Sequence, residues 1–114
     1  MEVKWSDLAL KQLDDILDYV EERFGSRTAI KTLEKINSKV NRLMLFPESG
    51  SPDFGYSTLV ESGSILIRHL KIEPNVVYYN VDGDVINVMA IAHSKQSPMT
   101  VASMIKRFLE HNDR

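Results

Sequence analysis

The sequence predicts an α+β fold in which an N-terminal helical hairpin packs on a small antiparallel β-sheet and a helix ends the chain. Apolar residues repeat at helical spacing through the first 46 residues, and after residue 56 the pattern changes to short extended runs separated by turns. A further helical stripe follows residue 97. Because helices and strands occupy separate parts of the chain, the pattern favours an α+β sandwich over alternating βαβ units.

The composition is that of an ordinary folded protein. The 114 residues are 43% hydrophobic and 26% charged, so we expect one domain over residues 1–114. Cysteine is absent, which excludes disulfides and thiolate chemistry and fits a cytoplasmic location. The apolar runs are far shorter than the roughly 20 residues of a membrane span, and the N-terminus lacks a signal-peptide pattern, so we expect no membrane partner.

The N-terminal part predicts a short strand and two antiparallel helices. Glu2–Trp5 alternates like an edge strand, and Ser6 is a suitable helix N-cap. Gly25 is predicted to end the first helix, Ser26 to cap the second, and Pro47 to prevent its continuation. The apolar stripes are Ala9, Leu13, Ile16, Leu17, Val20 and Phe24 in the first helix, and Ala29, Leu33, Ile36, Val40, Leu43 and Met44 in the second.

The central part predicts a loop followed by antiparallel strands. Residues 47–56 are a loop by composition, and strands are predicted at 57–61, 64–71, 75–81 and 84–93. Asp82-Gly83 suits a two-residue hairpin turn of type I′. The last strand is apolar on both faces, so we expect it to lie inside the sheet with both faces covered.

The C-terminal part predicts a third helix, capped by Ser97 and opened by Pro98. Two interpretations of this helix stay open. It covers the second face of the sheet as part of the core, or it forms a groove for a partner protein. Its apolar stripe is Val101, Met104, Ile105, Phe108 and Leu109.

The ordered set of these residues resembles the RelE/ParE superfamily of toxins from bacterial type II toxin–antitoxin modules. The resemblance covers residues 3 to 98 and implies a small antiparallel sheet packed on a helical hairpin. It is carried by Trp5-Ser6-x-x-Ala9, Leu13-x-x-Ile16-x-x-Tyr19, Phe24-Gly25, Ala29, Ile36, Leu43-x-x-Phe46-Pro47-x-x-Gly50, Tyr78-Tyr79-x-Val81, Asp82-Gly83-Asp84-Val85-Ile86-x-Val88 and Ile91-x-His93.

The resemblance implies one of two activities. RelE-like members cut mRNA on the ribosome with a basic sheet face, whereas ParE-like members poison DNA gyrase and are not known as hydrolases. A nuclease needs cations at the scissile phosphate together with an acid and a base. The candidates for those roles are Arg68, Lys71, His93 and Lys95.

Departures from the RelE-like pattern favour the second activity. Val76 stands where many relatives have an arginine, and Ser94 replaces the first of two basic residues after the strand-end histidine. Residues 47–93 carry six acids and two bases, which would repel an RNA substrate. We therefore favour ordinary structural roles for Arg68, as a solvated strand residue, and for His93, as a strand-end residue bonded to nearby backbone.

The charge distribution shows no broad basic platform for nucleic acid when it is counted along the chain. The net charge is −2, and residues 1–46 carry eight acids and eight bases. No cofactor is expected. His69, His93 and His111 lack metal-ligand spacing with neighbouring acids, so no metal site is predicted either.

We therefore expect a ParE-like toxin without hydrolytic activity that inhibits DNA gyrase and is neutralised by a cognate antitoxin. The alternatives are a ribosome-dependent mRNA endoribonuclease, or a degenerate member that binds antitoxin without toxicity; a homodimer is left open. The predicted partner-binding residues lie on the sheet and the C-terminal helix. Acidic antitoxin residues are expected to face the cations Arg68, Lys71, Lys95, Lys106 and Arg107. The apolar members of the predicted surface are Val101, Ile105 and Phe108.

Overall fold

The computed structural model describes residues 1–53 and 66–112. The strand predicted at 57–61, and the start of the one predicted at 64–71, lie outside the described residues. The helices are α1 (Asp7–Phe24), α2 (Ser26–Asn41), a 3₁₀ turn (Arg42–Met44) and α3 (Pro98–Asn112). The strands are β1 (Glu2–Trp5), β2 (Ser51–Pro52), β3 (Arg68–Ile72), β4 (Asn75–Asp82) and β5 (Val85–His93).

The described strands form one sheet in the order β1-β5-β4-β3-β2. The α+β class, the helical hairpin and the C-terminal helix are confirmed. The sheet is mixed rather than purely antiparallel, because β1 runs parallel to β5 while the remaining pairs are antiparallel. No hairpin links β1 to β5, so turn geometry does not dictate their relative direction.

Two turn predictions are corrected in detail. Gly25 has φ 91° and joins α1 to α2, but Ser26 is already helical and α2 has no side-chain N-cap. Asp82 pairs with Val85, so the loop of the β4–β5 hairpin is Gly83-Asp84. Of these two residues Gly83 alone has a positive φ, 59°, which is the pattern of a type II′ turn rather than type I′.

Strand β5 is covered on both faces, as its apolar sequence predicts. On one face Val88 and Ile91 pack against the α1–α2 hairpin, and on the other Met89 and Ala92 pack against α3. Phe24 and Met44 are exceptions to the predicted helical stripes, with 66% and 40% of their surface exposed. Each is the last residue of its helical segment.

The buried position of α3 predicts a stability cost for truncating its apolar side. Ile105 is fully buried against the sheet, whereas Met99 of the same helix is 82% exposed. Ile105→Ala should lower the free energy of unfolding by about 2–5 kcal/mol, because it removes buried methyl groups and leaves a cavity. Met99→Ala should change it by less than about 0.5 kcal/mol in the same urea titration. Equal effects would show that α3 is not packed on the sheet.

Candidate functional site

A loop over residues 47–50, the 47–50 loop, is held against the sheet by one tyrosine. The fully buried Tyr79 donates its phenolic hydrogen to the Pro47 carbonyl oxygen at 2.8 Å. The Tyr79 hydroxyl oxygen in turn accepts the Gly50 N–H at 2.9 Å. A Cβ on Gly50 would lie 2.5 Å from the Tyr79 oxygen, so the contact requires glycine. These two hydrogen bonds fix where the chain leaves α2 relative to the sheet.

Arg68 belongs to the same arrangement. It pairs with Tyr79 across β3 and β4, and its Nη1 donates to the Gly50 carbonyl oxygen at 2.9 Å and to that of Glu48 at 3.4 Å. The arginine is half-buried rather than the solvated strand residue we expected. Its positive charge therefore stabilises the carbonyl groups of Glu48 and Gly50 in the 47–50 loop. This is a structural role for the guanidinium.

The environment of Tyr79 disfavours its ionisation. Burial raises the pKa of the phenol above its usual value of 10.0 and outweighs the opposing effects of the Gly50 N–H and the Arg68 charge. The phenol therefore stays protonated at neutral pH and can donate to Pro47.

The candidate catalytic cations do not converge. Successive side chains of a strand alternate between faces, so Arg68 and Lys71 point to opposite faces of the sheet. Arg68 lies on the face of the helical hairpin, whereas Lys71 pairs with Val76, which packs under α3. Val76, at the position where relatives carry arginine, is thus a buried core residue.

His93 lies far from Arg68. It pairs with Asn75, which pairs with Ile72, and Ile72 is four residues along β3 from Arg68. At about 3.3 Å per residue the two rows are about 13 Å apart along the strands. One phosphate group cannot bridge that separation.

The expected strand-end role of His93 is confirmed. Its ring Nδ1 accepts the backbone N–H of Lys95 at 3.0 Å. The backbone N–H of His93 donates to the Gln96 side-chain oxygen at 2.7 Å. Lys95 lies exposed in the turn that follows. The ring therefore closes the turn between β5 and α3.

The structure contains a contact between a histidine and an aspartate that the sequence does not predict. Nδ1 of His69 lies 3.4 Å from Oδ2 of Asp53, with both side chains about a quarter exposed or less. The pair comes together because β2 and β3 are neighbours in the sheet, and spacing along the chain carries no sign of it. Within residues 1–53 and 66–112, no three His, Cys, Asp or Glu residues gather into a metal-binding group.

The predicted partner-binding residues divide by accessibility. Val101 and Ile105 of α3 are buried against the sheet and Phe108 is half-buried beside them, so the isolated chain already uses this apolar stripe. Lys71, Lys95, Lys106 and Arg107 are exposed.

A groove of about 670 Å³ lies where α2 meets the 47–50 loop. Its wall includes the exposed side chains of Leu45 and Phe46 and the cations Lys39 and Arg42, and Leu70 of β3 lines it as well. Glu48 lines it too, so the groove combines an apolar surface with two cations and one acid, features that suit a protein segment bearing apolar and charged side chains.

Five exposed cations lie on one side of α2 and its 3₁₀ extension, and we name this surface the α2 ridge. Counting charges along residues 1–46 conceals it, because the acids balancing these cations are mostly on α1. The signal that reveals it is four-residue spacing, which places side chains one above another on a helix. The α2 ridge consists of Arg27, Lys31, Lys35, Lys39 and Arg42.

Comparison with known proteins agrees with this architecture. The family described as "ParE toxin of type II toxin-antitoxin system, parDE" matches residues 3–98. The chain belongs to the ParE toxin family. This ParE toxin is similar to a solved structure described as the chromosomal ParDE TA system from P. aeruginosa, with 25% identity and a TM-score of 0.64. The match covers 82% of this chain and 95% of the other.

These findings confirm the resemblance to the RelE/ParE superfamily and the interpretation as a ParE-like toxin. A comparison with curated protein sequences gives no significant match. Among the described residues of this ParE toxin, no helix is both long and apolar enough to cross a membrane.

The anchoring of the 47–50 loop predicts a cost for removing one oxygen atom. Tyr79→Phe should lower the free energy of unfolding by about 1–3 kcal/mol, because the buried Gly50 N–H loses its acceptor and Pro47 loses its donor. Tyr19→Phe, at an exposed tyrosine, should be nearly neutral in the same denaturant titration.

The raised pKa adds a pH signature to the same pair of variants. The phenol ionises more readily in the unfolded chain than in the folded one. The stabilisation that the protonated phenol gives to the folded chain is therefore fully present below pH 10, and it is lost as pH rises through the higher folded-state pKa. Unfolding measured from pH 8 to 11 should show a smaller loss of stability in Tyr79→Phe than in the unaltered chain. Identical pH profiles would contradict the buried, protonated phenol.

Proposed function

We propose that this ParE toxin inhibits DNA gyrase by binding it, without hydrolysing nucleic acid, and that a cognate antitoxin neutralises it. The observation that carries the proposal is the family match over residues 3–98. ParE-like members of the superfamily poison gyrase, and the similar P. aeruginosa structure is described as a toxin–antitoxin system. Because gyrase acts on bacterial DNA, the proposal places the toxin in the cytoplasm.

The geometry of the sheet supports action without hydrolysis. Arg68 is committed to the 47–50 loop, Lys71 points to the other face, and His93 closes a turn at the far end of β5. A general acid, a general base and a charge clamp must all reach one phosphate group. These residues are not arranged to do so.

For the antitoxin we propose a surface on the α3 side of the sheet. Lys71, Lys95, Lys106 and Arg107 are exposed and would face acidic antitoxin residues. The apolar stripe of α3 is already packed on the sheet, so an antitoxin that uses Val101 or Ile105 would have to displace the helix. Charge contacts with the outer side of α3 need no such movement.

A supercoiling assay tests the gyrase proposal. The purified chain, added to gyrase, ATP and relaxed plasmid, should inhibit supercoiling or accumulate cleaved plasmid. The matched control is relaxation of the same plasmid by bacterial topoisomerase I, which the chain should leave unchanged. Induced expression should also arrest growth.

Other results would contradict this assignment. Unaffected gyrase together with mRNA cleavage in a translation extract would identify a RelE-like endoribonuclease. Unaffected gyrase together with normal growth on induction would identify a member that binds antitoxin without toxicity.

A charge reversal tests the antitoxin surface. With the antitoxin encoded by the neighbouring reading frame, Lys106→Glu should weaken binding about tenfold and slow association, because it places like charges in the contact. Lys11→Glu in α1, an equal change in net charge on the face of the sheet opposite to α3, should leave the titration unchanged. Equal weakening by both variants would show that net charge, rather than this surface, governs the complex.

A further inference from the structure

We infer that the α2 ridge binds the phosphate backbone of duplex DNA. Its cations follow four-residue spacing from Arg27 to Lys39, and Arg42 continues the series one turn later. Each four-residue step rises about 6 Å, so the ridge is about 22 Å long. At 3.4 Å per base pair, that length corresponds to roughly six base pairs of duplex.

The positive charge is confined to one sector of the helix. At 3.6 residues per turn, the five cations fall within about 120° of the helix circumference. Thr28 and Ser38 share this sector and no acid does, since Glu34 lies just outside it. The buried side of the helix, with Ala29, Ile36 and Val40, faces away from the cations.

The ridge cations have no ion-pair partner in the described part of the chain. Among residues 1–53 and 66–112, no carboxylate lies within ion-pair distance of any ridge cation. Lys35 donates a hydrogen bond to the Glu73 carbonyl oxygen at 3.0 Å, and this neutral acceptor does not cancel its charge. By contrast, Lys11 of α1 lies 3.9 Å from Asp15. The α2 ridge is therefore a strip of positive field on a chain whose net charge is −2.

The composition of the sector favours nucleic acid over an acidic protein. Protein interfaces are built around apolar anchors and are depleted in lysine, and the sector contains no apolar side chain. Lysine, arginine, serine and threonine are the usual ligands of DNA phosphates. The exposed Leu45 and Phe46 lie past the C-terminal end of the ridge, so a protein docked on them would reach Lys39 and Arg42. Arg27 and Lys31 lie at the opposite end of the ridge. The continuous phosphate backbone of duplex DNA would still reach them there.

This mode of binding carries no sequence information. Phosphate contacts position a protein on DNA, and their strength depends on counter-ion release. The inference is also independent of the gyrase proposal. A toxin can inhibit gyrase through protein contacts alone, and such a toxin would not bind duplex DNA in the absence of gyrase.

Fluorescence anisotropy of the full chain with a labelled 20-base-pair duplex tests the inference without gyrase. Binding should be measurable at 25 mM salt and equal for two unrelated sequences. The logarithm of the association constant should fall against the logarithm of salt concentration with a slope of about −4.5 if all five cations contact phosphates. The triple variant Arg27→Gln/Lys31→Gln/Lys39→Gln should reduce that slope to about −2 and weaken binding at 25 mM salt at least tenfold.

The control removes the same residue types elsewhere. Lys95→Gln/Lys106→Gln/Arg107→Gln takes away two lysines and one arginine, reaches the same net charge and should keep most of the affinity and slope. Equal losses in both triple variants would overturn the assignment to the ridge. If circular dichroism shows the ridge triple variant unfolded, Lys31→Gln and Lys39→Gln alone should each reduce the slope by about 1, and unchanged slopes would overturn the inference.

The same titration with single-stranded RNA and with polyglutamate distinguishes binding to duplex DNA from binding to other polyanions. Absence of duplex binding at 25 mM salt would overturn the proposal. So would tighter binding to single-stranded RNA, or binding to polyglutamate as tight as to duplex DNA. A preference between the two duplex sequences would overturn the backbone-only mode.

Discussion

The fold depends on the need to cover both faces of β5. This strand has apolar side chains facing both ways, and leaving either face in water would forfeit much of the burial that stabilises a chain of this size. The α1–α2 hairpin covers one face and α3 covers the other. Where β1 ends, Ser6 donates to the Met89 carbonyl oxygen and Gln12 accepts the Ile91 N–H, so side chains complete this edge of the strand.

The second constraint is the junction between the hairpin and the sheet. Tyr79, Gly50 and Arg68 come from separate parts of the chain and converge on the 47–50 loop. A family match places such residues in order along the chain, but their shared purpose appears only when β3 and β4 pair. Arg68 shows the consequence for function. The sequence makes it a candidate catalytic cation, but in the fold its guanidinium donates hydrogen bonds to backbone carbonyl oxygens. The absence of convergence with Lys71 and His93 follows from strand pleat and register rather than from composition.

Charge is separated by helix geometry in the same way. Segment counts balance over residues 1–46, yet the acids gather mainly on α1 and the ridge cations on one side of α2 and its extension. The outer side of α3 adds a second exposed basic surface, with Lys106 and Arg107. The described part of the toxin thus has positive charge on two different helices, α2 and α3, which pack on opposite faces of the sheet.

Local patterns in the sequence determined the helices, most strand positions, the Ser6 cap and the two-sided burial of β5, because periodicity and capping act over a few residues. They also carried the family resemblance, whose motifs are largely core and turn positions. Tertiary structure decided the parallel pairing of β1, the Gly83-Asp84 turn, the role of Arg68 and the contact between His69 and Asp53. Each of these depends on which strands become neighbours and in which register, and long-range pairing leaves no mark in the spacing of residues along the chain.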